Sequence, residues 1–282
     1  MIKKIGIVGA GAMGTGIAHI AAQSGFNVVL HDVADNFLKR SVATIDGLFD
    51  KAIAKGKATE AMKKETLARI HPTVDLNEMR DVDLVIEAII EKLDAKLDMF
   101  QKLDKICSPH TLLASNTSTM SITKLANATQ RPSNVAGMHF FNPAQVMKLV
   151  EVIRGYYTSD ETIAALKKTT EIMGKVGIEV KKDTPGFIVN RLMLPQMREA
   201  FLLYEEGVAS IEDIDMAMKL GLNHPMGPFT LMDFGGNDIC YDSLCYLYSE
   251  FGQPHYAPPI SLKRLINAGR LGKKTGKGWY DY

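Results

Sequence analysis

Apolar positions follow two kinds of pattern in the first part of the chain. Short runs of consecutive Val, Ile, Leu and Ala predict strands at residues 3–8, 27–32, 84–88, 112–114, 135–139, 149–153 and 178–182. Between them, apolar residues recur every three or four positions and predict helices at 12–24, 35–55, 59–69, 92–105, 121–127 and 160–174. Strands that are apolar on both faces and separated by helices imply a mostly parallel sheet covered on both sides. The texture changes at the turn signal Asp183-Thr184-Pro185-Gly186. Beyond it the pattern is helical, at 187–206, 211–219, 228–250 and 260–268, with Pro195 expected to kink or break the first of these. The chain therefore divides into an α/β domain over residues 1–184 and an all-helical C-terminal domain over 185–282.

Composition adds exclusions. At 282 residues, 46% hydrophobic and 23% charged, the chain matches a globular protein and excludes wholesale disorder. Lys plus Arg number 33 against 32 Asp plus Glu, which argues against a nucleic-acid partner. Residues 5–30 carry no Asp, Glu, Lys or Arg and follow Lys3 and Lys4, as a secretory signal would. Glycines at 6, 9, 11, 14 and 16, with Thr15, His19, Gln23, Ser24 and Asn27, make that stretch a poor membrane span, so no membrane partner is expected. Cys107, Cys240 and Cys245 include no C-x-x-C pair. They read as core or half-buried residues in a reducing cytoplasm.

The glycine spacing explains the uncharged stretch better. Gly9-Ala10-Gly11-Ala12-Met13-Gly14 is a G-x-G-x-x-G that follows a predicted strand and opens a predicted helix. Gly9 permits the tight turn, Gly11 lets the backbone approach a pyrophosphate, and Gly14 permits close helix–strand packing. Asp32 closes the second strand, where a carboxylate accepts hydrogen bonds from adenosine ribose hydroxyls and repels a 2′-phosphate. The first domain is thus Rossmann-type. FAD stays open on the fingerprint alone, but Asp32 favours NAD.

Four further stretches carry candidate chemistry. They are Ser115-Asn116-Thr117-Ser118, His139-Phe140-Phe141-Asn142-Pro143, Lys148-Leu149-Val150-Glu151, and the run from Asp183 through Phe187-Ile188-Val189-Asn190-Arg191. Ser115, Ser118 and His139 fall at the carboxyl ends of predicted strands, where open α/β sheets bind ligands. Singly, each also reads as structure: a turn or helix cap, a structural histidine, an outward strand glutamate, a polar helix face. Together they resemble the L-3-hydroxyacyl-CoA dehydrogenase family, over the whole chain, including His224-Pro225-Met226-Gly227-Pro228 and the tail Gly272-Lys273-Lys274-Thr275-Gly276-Lys277-Gly278.

That resemblance implies roles. His139 would be the catalytic base paired with Glu151, while Ser118 and Asn190 would hold the substrate. Asn142 is expected on the substrate as well, and Glu91, Lys96 and Asn116 on the nicotinamide nucleotide. Lys51 and Lys55 fall where such enzymes contact coenzyme A, although two lysines at i, i+4 are also an ordinary solvated face. The chemistry is coherent: oxidising a secondary alcohol requires proton removal as hydride leaves, and a histidine steadied by a carboxylate suits that exchange. Ser118 and Asn190 would bond the oxygen on which charge develops. The seven histidines show no metal-binding spacing, so no metal is expected.

The resemblance implies an NAD-dependent dehydrogenase of short (S)-3-hydroxyacyl-CoA. A dehydrogenase of free hydroxy acids and a crystallin-like nucleotide-binding protein remain as alternatives. The length leaves no room for the hydratase domain of multifunctional relatives, so a separate enzyme of fatty-acid or butyrate metabolism is expected. The family also implies a homodimer formed through the helical domain. The apolar stretches 201–204 and 244–248 read equally as dimer surface or as core.

Overall fold

A strand buried on both faces needs side chains that can be covered on both, and the runs of consecutive apolar residues meet that need. The computed structural model describes residues 2–282. In its first unit, which ends at Asp183, the strands are β1 (Lys4–Val8), β2 (Asn27–His31), β3 (Ile70–Thr73), β4 (Leu84–Glu87), β5 (Leu112–Ser115), β6 (Val135–Phe140), β7 (Leu149–Ile153) and β8 (Val176–Val180). They join one sheet in the order β3-β2-β1-β4-β5-β6-β7-β8, parallel throughout except where β6 meets β7. The mostly parallel Rossmann-type sheet is as the sequence predicts. Helices α1 (Ala12–Gln23), α2 (Asp35–Ile53), α3 (Glu60–Ala68), α4 (Leu93–Ile106), α5 (Ile122–Ala126) and α6 (Asp160–Ile172) connect the strands. Ile5, Ile7, Leu30, Ile86, Met138 and Val150 are buried together with Ile17, Leu38, Phe49 and Leu166 from the helices, in one continuous core. Side-chain caps set several helix starts: Thr59, Ser121 and Ser159 accept the N–H of Met62, Lys124 and Thr162.

Three local expectations are corrected. β3 was not predicted; it is a four-residue strand with an exposed centre that contains Pro72, which a sheet tolerates at its edge. Helix α2 ends at Ile53, two residues early, in a turn completed by Gly56 at φ +66°. β8 begins at Val176, because its register against Leu149–Ile153 extends the ladder toward the preceding helix.

The second unit, Thr184–Tyr282, is helical: α7 (Val189–Glu205), α8 (Ile211–Leu222), α9 (Pro228–Gly235), α10 (Asn237–Phe251) and α11 (Ile260–Asn267). The stretch predicted as one helix over 228–250 is two, broken at Gly236, whose φ of +107° no helix accommodates. Helix α7 runs on through Pro195, which removes one N–H from its ladder without ending it. Phe201, Phe229, Leu244 and Leu247 form this unit's own core, with Trp279 stacked on Phe201 at 4.9 Å. The stretches 201–204 and 244–248 are therefore core at Phe201, Leu244 and Leu247, while Tyr204 and Tyr248 are exposed. Two buried carboxylates pin the tail. Asp233 accepts the backbone N–H of Trp279 (2.9 Å) and Tyr280 (2.9 Å), and Asp215 accepts the Tyr280 hydroxyl (3.0 Å). A Cβ at Gly278 would lie 1.9 Å from Asp233 Oδ1, so the tail glycine is a packing requirement.

The thiols of Cys107 and Cys240 are buried, and burial pushes them up to about 11 and about 12, so both are inert packing groups. His19, on α1, is buried against the Phe49 ring at 4.9 Å, and its Nδ1 has no partner among the described residues. Burial lowers its pKa to about 4. The unfolded chain, with an ordinary histidine near 6.5, binds a proton between those values that the folded protein refuses. Stability is therefore predicted to fall as pH drops from about 6.5 to 4, with His19 contributing roughly 2–3 kcal/mol of the loss. In urea titrations, His19→Leu should show a visibly flatter stability profile over that window; an unchanged slope would contradict the assignment.

Candidate active site

The carboxyl end of β1 turns through Gly9 at φ +106°, where a Cβ would lie 2.5 Å from the Ala88 carbonyl oxygen. A Cβ at Gly14 would lie 1.7 Å from the Gly9 carbonyl oxygen, so α1 packs against the turn only with glycine there. A Cβ at Gly11 would meet nothing within 4 Å. Gly11 is also the N-cap of α1, and no side chain caps that helix. The three glycines thus fold the turn, admit the helix and keep one face of the turn open. Asp32 follows β2, and its Oδ2 accepts the Ala10 N–H (2.7 Å) while Oδ1 accepts the Val33 N–H (2.7 Å). The turn itself aims the carboxylate. Next to Asp32, burial lowers the pKa of His31, while the carboxylates of Asp32 and Asp75 pull it upward.

β1 lies between β2 and β4, so the direction of strand succession reverses here, and a dinucleotide spans such a crevice. A cavity of about 410 Å³ opens beside the turn, lined by Gly11, Thr15, Arg40, Thr44, Asn142 and Gln145 among others. The open cradle at Gly11, the uncapped helix and the oriented Asp32 fit a dinucleotide with a free 2′-hydroxyl.

Across the switch point, β4 ends at Glu87 and β5 at Ser115, register partners in the sheet. The Ser115–Ser118 turn is tied down on several sides. Ser115 Oγ donates to Glu87 Oε2 (2.6 Å), and Asn116 Oδ1 accepts the Phe140 N–H (2.9 Å). Glu91 Oε1 accepts the Thr117 hydroxyl and the Ser118 N–H (2.9 Å). Lys96 lies beneath, fully buried, between Glu87 (2.7 Å) and Glu91 (3.2 Å). Its ammonium is thus committed to two carboxylates, and Asn116 ties one strand end to another. Glu87 escaped the sequence reading because a glutamate closing a Leu-Val-Ile run looks like any strand end.

His139 and Glu151 face each other as register partners across the antiparallel β6–β7 pair. Nδ1 of the imidazole lies 2.7 Å from Glu151 Oε2, and both side chains are buried. The Phe141 ring sits 4.5 Å from the imidazole, centroid to centroid. With Nδ1 held by the carboxylate, proton exchange falls to Nε2.

The first unit thus gathers Gly9, Gly11, Gly14, Asp32, Glu91, Asn116, Ser118, His139, Asn142 and Glu151 along the carboxyl edge of one sheet. Asn142 is exposed and lines the cavity beside the glycine turn. Asn190 stands in the first turn of α7, in the second unit. Lys51 lies on α2, but Lys55 sits beyond its end, so the two are not one turn apart on a continuous helix. Among the described residues no His, Cys, Asp or Glu cluster is placed to hold a metal ion. No helix among them is long and apolar enough to cross a membrane.

Comparison with known proteins accounts for both units. Residues 4–184 match the model of the 3-hydroxyacyl-CoA dehydrogenase NAD binding domain, and residues 186–282 match that of the 3-hydroxyacyl-CoA dehydrogenase C-terminal domain. A probable 3-hydroxybutyryl-CoA dehydrogenase of Deinococcus radiodurans is 48% identical, covering 99% of this chain and 100% of that protein. A mitochondrial hydroxyacyl-coenzyme A dehydrogenase of Homo sapiens is 44% identical over 100% of this chain and 92% of its own. The crystal structure of (S)-3-hydroxybutyryl-CoA dehydrogenase from Ralstonia eutropha superposes with a TM-score of 0.96 at 46% identity, covering 100% of this chain and 99% of that one.

Asp32 generates a prediction on nucleotide choice. Fluorescence titration should show NADH binding at least about tenfold more tightly than NADPH, since a 2′-phosphate beside the carboxylate meets like charge at close range. Asp32→Ala should narrow that gap by weakening NADH and relieving NADPH. Equal affinities in the unsubstituted protein would remove Asp32 from the role.

Proposed function

The chain belongs to the 3-hydroxyacyl-CoA dehydrogenase family, and on that premise we propose that it interconverts (S)-3-hydroxybutyryl-CoA and acetoacetyl-CoA. It is an NAD-dependent oxidoreductase. NAD, when bound, accepts or supplies the hydride at the alcohol carbon. The observation that carries the reading is the buried His139–Glu151 pair on the sheet edge that also presents the glycine turn and Ser118.

In the oxidative direction His139 Nε2 takes the hydroxyl proton, and Glu151, on Nδ1, fixes the tautomer and balances the imidazolium that forms. In the reductive direction the same nitrogen returns the proton to the developing alkoxide. Ser118 donates to that oxygen, so its bond strengthens as charge accumulates on it, and Asn190 is assigned to the substrate as the resemblance implies. Gly9, Gly11, Gly14 and Asp32 hold the phosphates and adenosine ribose of the dinucleotide, with Glu91 and Asn116 shaping its nicotinamide side and Lys96, 1% exposed, supporting Glu91 from beneath without touching the dinucleotide. Asn142 serves the substrate from the wall of the glycine-turn cavity. Lys51 and Lys55 attract the phosphates of coenzyme A as exposed point charges. A homodimer is supported by exposed apolar side chains in the helical unit, among them Leu220 (78%), Val208 (64%) and Ile239 (58%). A cytoplasmic location agrees with three unpaired cysteines.

The acid–base assignment is tested by initial rates of NADH oxidation with acetoacetyl-CoA. His139→Gln should lower kcat by about 10²-fold or more, with NADH binding retained. Glu151→Gln should lower it less, because the amide oxygen can still accept from Nδ1 while the charge that balances the imidazolium is lost. Near-parental turnover in both variants would rule the pair out.

A further inference from the structure

Glu87 is 0% exposed and its partner Lys96 is 1% exposed. A buried charge is tolerated only when paired and hydrogen-bonded, and an apolar pair of similar volume serves folding as well or better. Apart from one bond to the chain just after β4, the contacts of this pair lead to one place. Glu87 Oε1 accepts from Lys96 Nζ (2.7 Å) and the Ile89 N–H (2.8 Å), and Oε2 from Ser115 Oγ (2.6 Å). Ser115 Oγ accepts the Thr117 N–H (3.2 Å), and the Glu87 carbonyl accepts the Asn116 N–H (2.8 Å). Through Lys96 the carboxylate also reaches Glu91, at 3.2 Å, whose other oxygen accepts from Thr117 and Ser118. Two routes, one neutral through Ser115 and one charged through Lys96 and Glu91, therefore run from Glu87 into the Ser115–Ser118 turn; they meet at Thr117, and the second continues to Ser118.

We propose that Glu87 is a positioning residue for Ser118, holding the turn from beneath through Ser115 and through the Lys96–Glu91 pair while touching neither cofactor nor substrate. The proposal rests on the reading of Ser118 as a donor to the reacting oxygen. Lys96 then acts as the counterion that lets two carboxylates share the turn. Its burial follows from that task.

The test is a coupling measurement in Glu87→Gln/Lys96→Met, which removes both buried charges together so that neither is stranded. The melting temperature should stay within a few degrees of the parent, while kcat for acetoacetyl-CoA reduction falls about 10–100-fold. The NADH dissociation constant, read by fluorescence, should stay within about threefold, because the glycine turn and Asp32 are untouched. Ser118→Ala, which lowers kcat in the parent, should cost less than about twofold in the double variant, since groups acting as a unit are not additive. The same Ser118→Ala factor in both backgrounds, or parental kcat in the double variant, would reduce Glu87 to a fold element and overturn the proposal. So would a larger loss of NADH affinity, which would mean that the pair supports the whole crevice. Should the double variant not fold, Ser115→Ala opens the neutral route alone, and its coupling to Ser118→Ala decides the matter on the same criterion. A parent indifferent to Ser118→Ala would instead sink the reading of Ser118, and the proposal with it.

Discussion

Strands β6 and β7 run antiparallel in a sheet whose other pairings are parallel, and that reversal sets His139 directly opposite Glu151. Opposed residues in an antiparallel pair share a face with their Cβ atoms about 5 Å apart, so a short carboxylate–imidazole contact needs no further arrangement. A slip of one residue would send Glu151 to the other face and leave a buried carboxylate without its partner. The flanking residues oppose such a slip, because Val150 and Val152 already belong to the core. Packing fixes the register, and the register makes the pair. The chain that returns from β6 to β7 also carries Asn142 to the cavity beside the glycine turn, which ties the acid–base pair to the nucleotide crevice.

The crevice follows from strand order. With β1 between β2 and β4, connections leave in opposite directions and the strand ends open a groove. One side is built from backbone: Gly9, Gly11 and Gly14 bring the chain close enough to α1 for its N–H groups and dipole to face an anion. The other side is built from charge, where Glu87, Lys96 and Glu91 hold the Ser115–Ser118 turn.

Some of this was legible in the residues themselves. The glycine spacing, Asp32 and the alternation of apolar strands with helices specify a dinucleotide crevice on a parallel sheet, because each obeys a local rule. The pairing of His139 with Glu151 was legible only through resemblance, since no spacing in the chain announces that residues 12 apart will face each other across two strands. Glu87 stayed hidden because burial of a strand-end glutamate depends on a lysine nine positions later that the sequence presents as a helix-surface residue. Gly236 and Pro72 misled for opposite reasons. An apolar helical pattern ran over a glycine with positive φ, and a proline masked a short edge strand. Lys55 belongs with these, because apolar periodicity carried the helix two residues past its end.

The central claim is that this sheet edge reduces a 3-ketoacyl thioester of coenzyme A rather than a free keto acid. The direct measurement is the loss of NADH absorbance with acetoacetyl-CoA and with acetoacetate at matched concentrations. Binding energy from the coenzyme A moiety, remote from the reacting carbon, should give acetoacetyl-CoA a kcat/KM higher by about 10³-fold or more. Equal or faster turnover of acetoacetate would contradict the account.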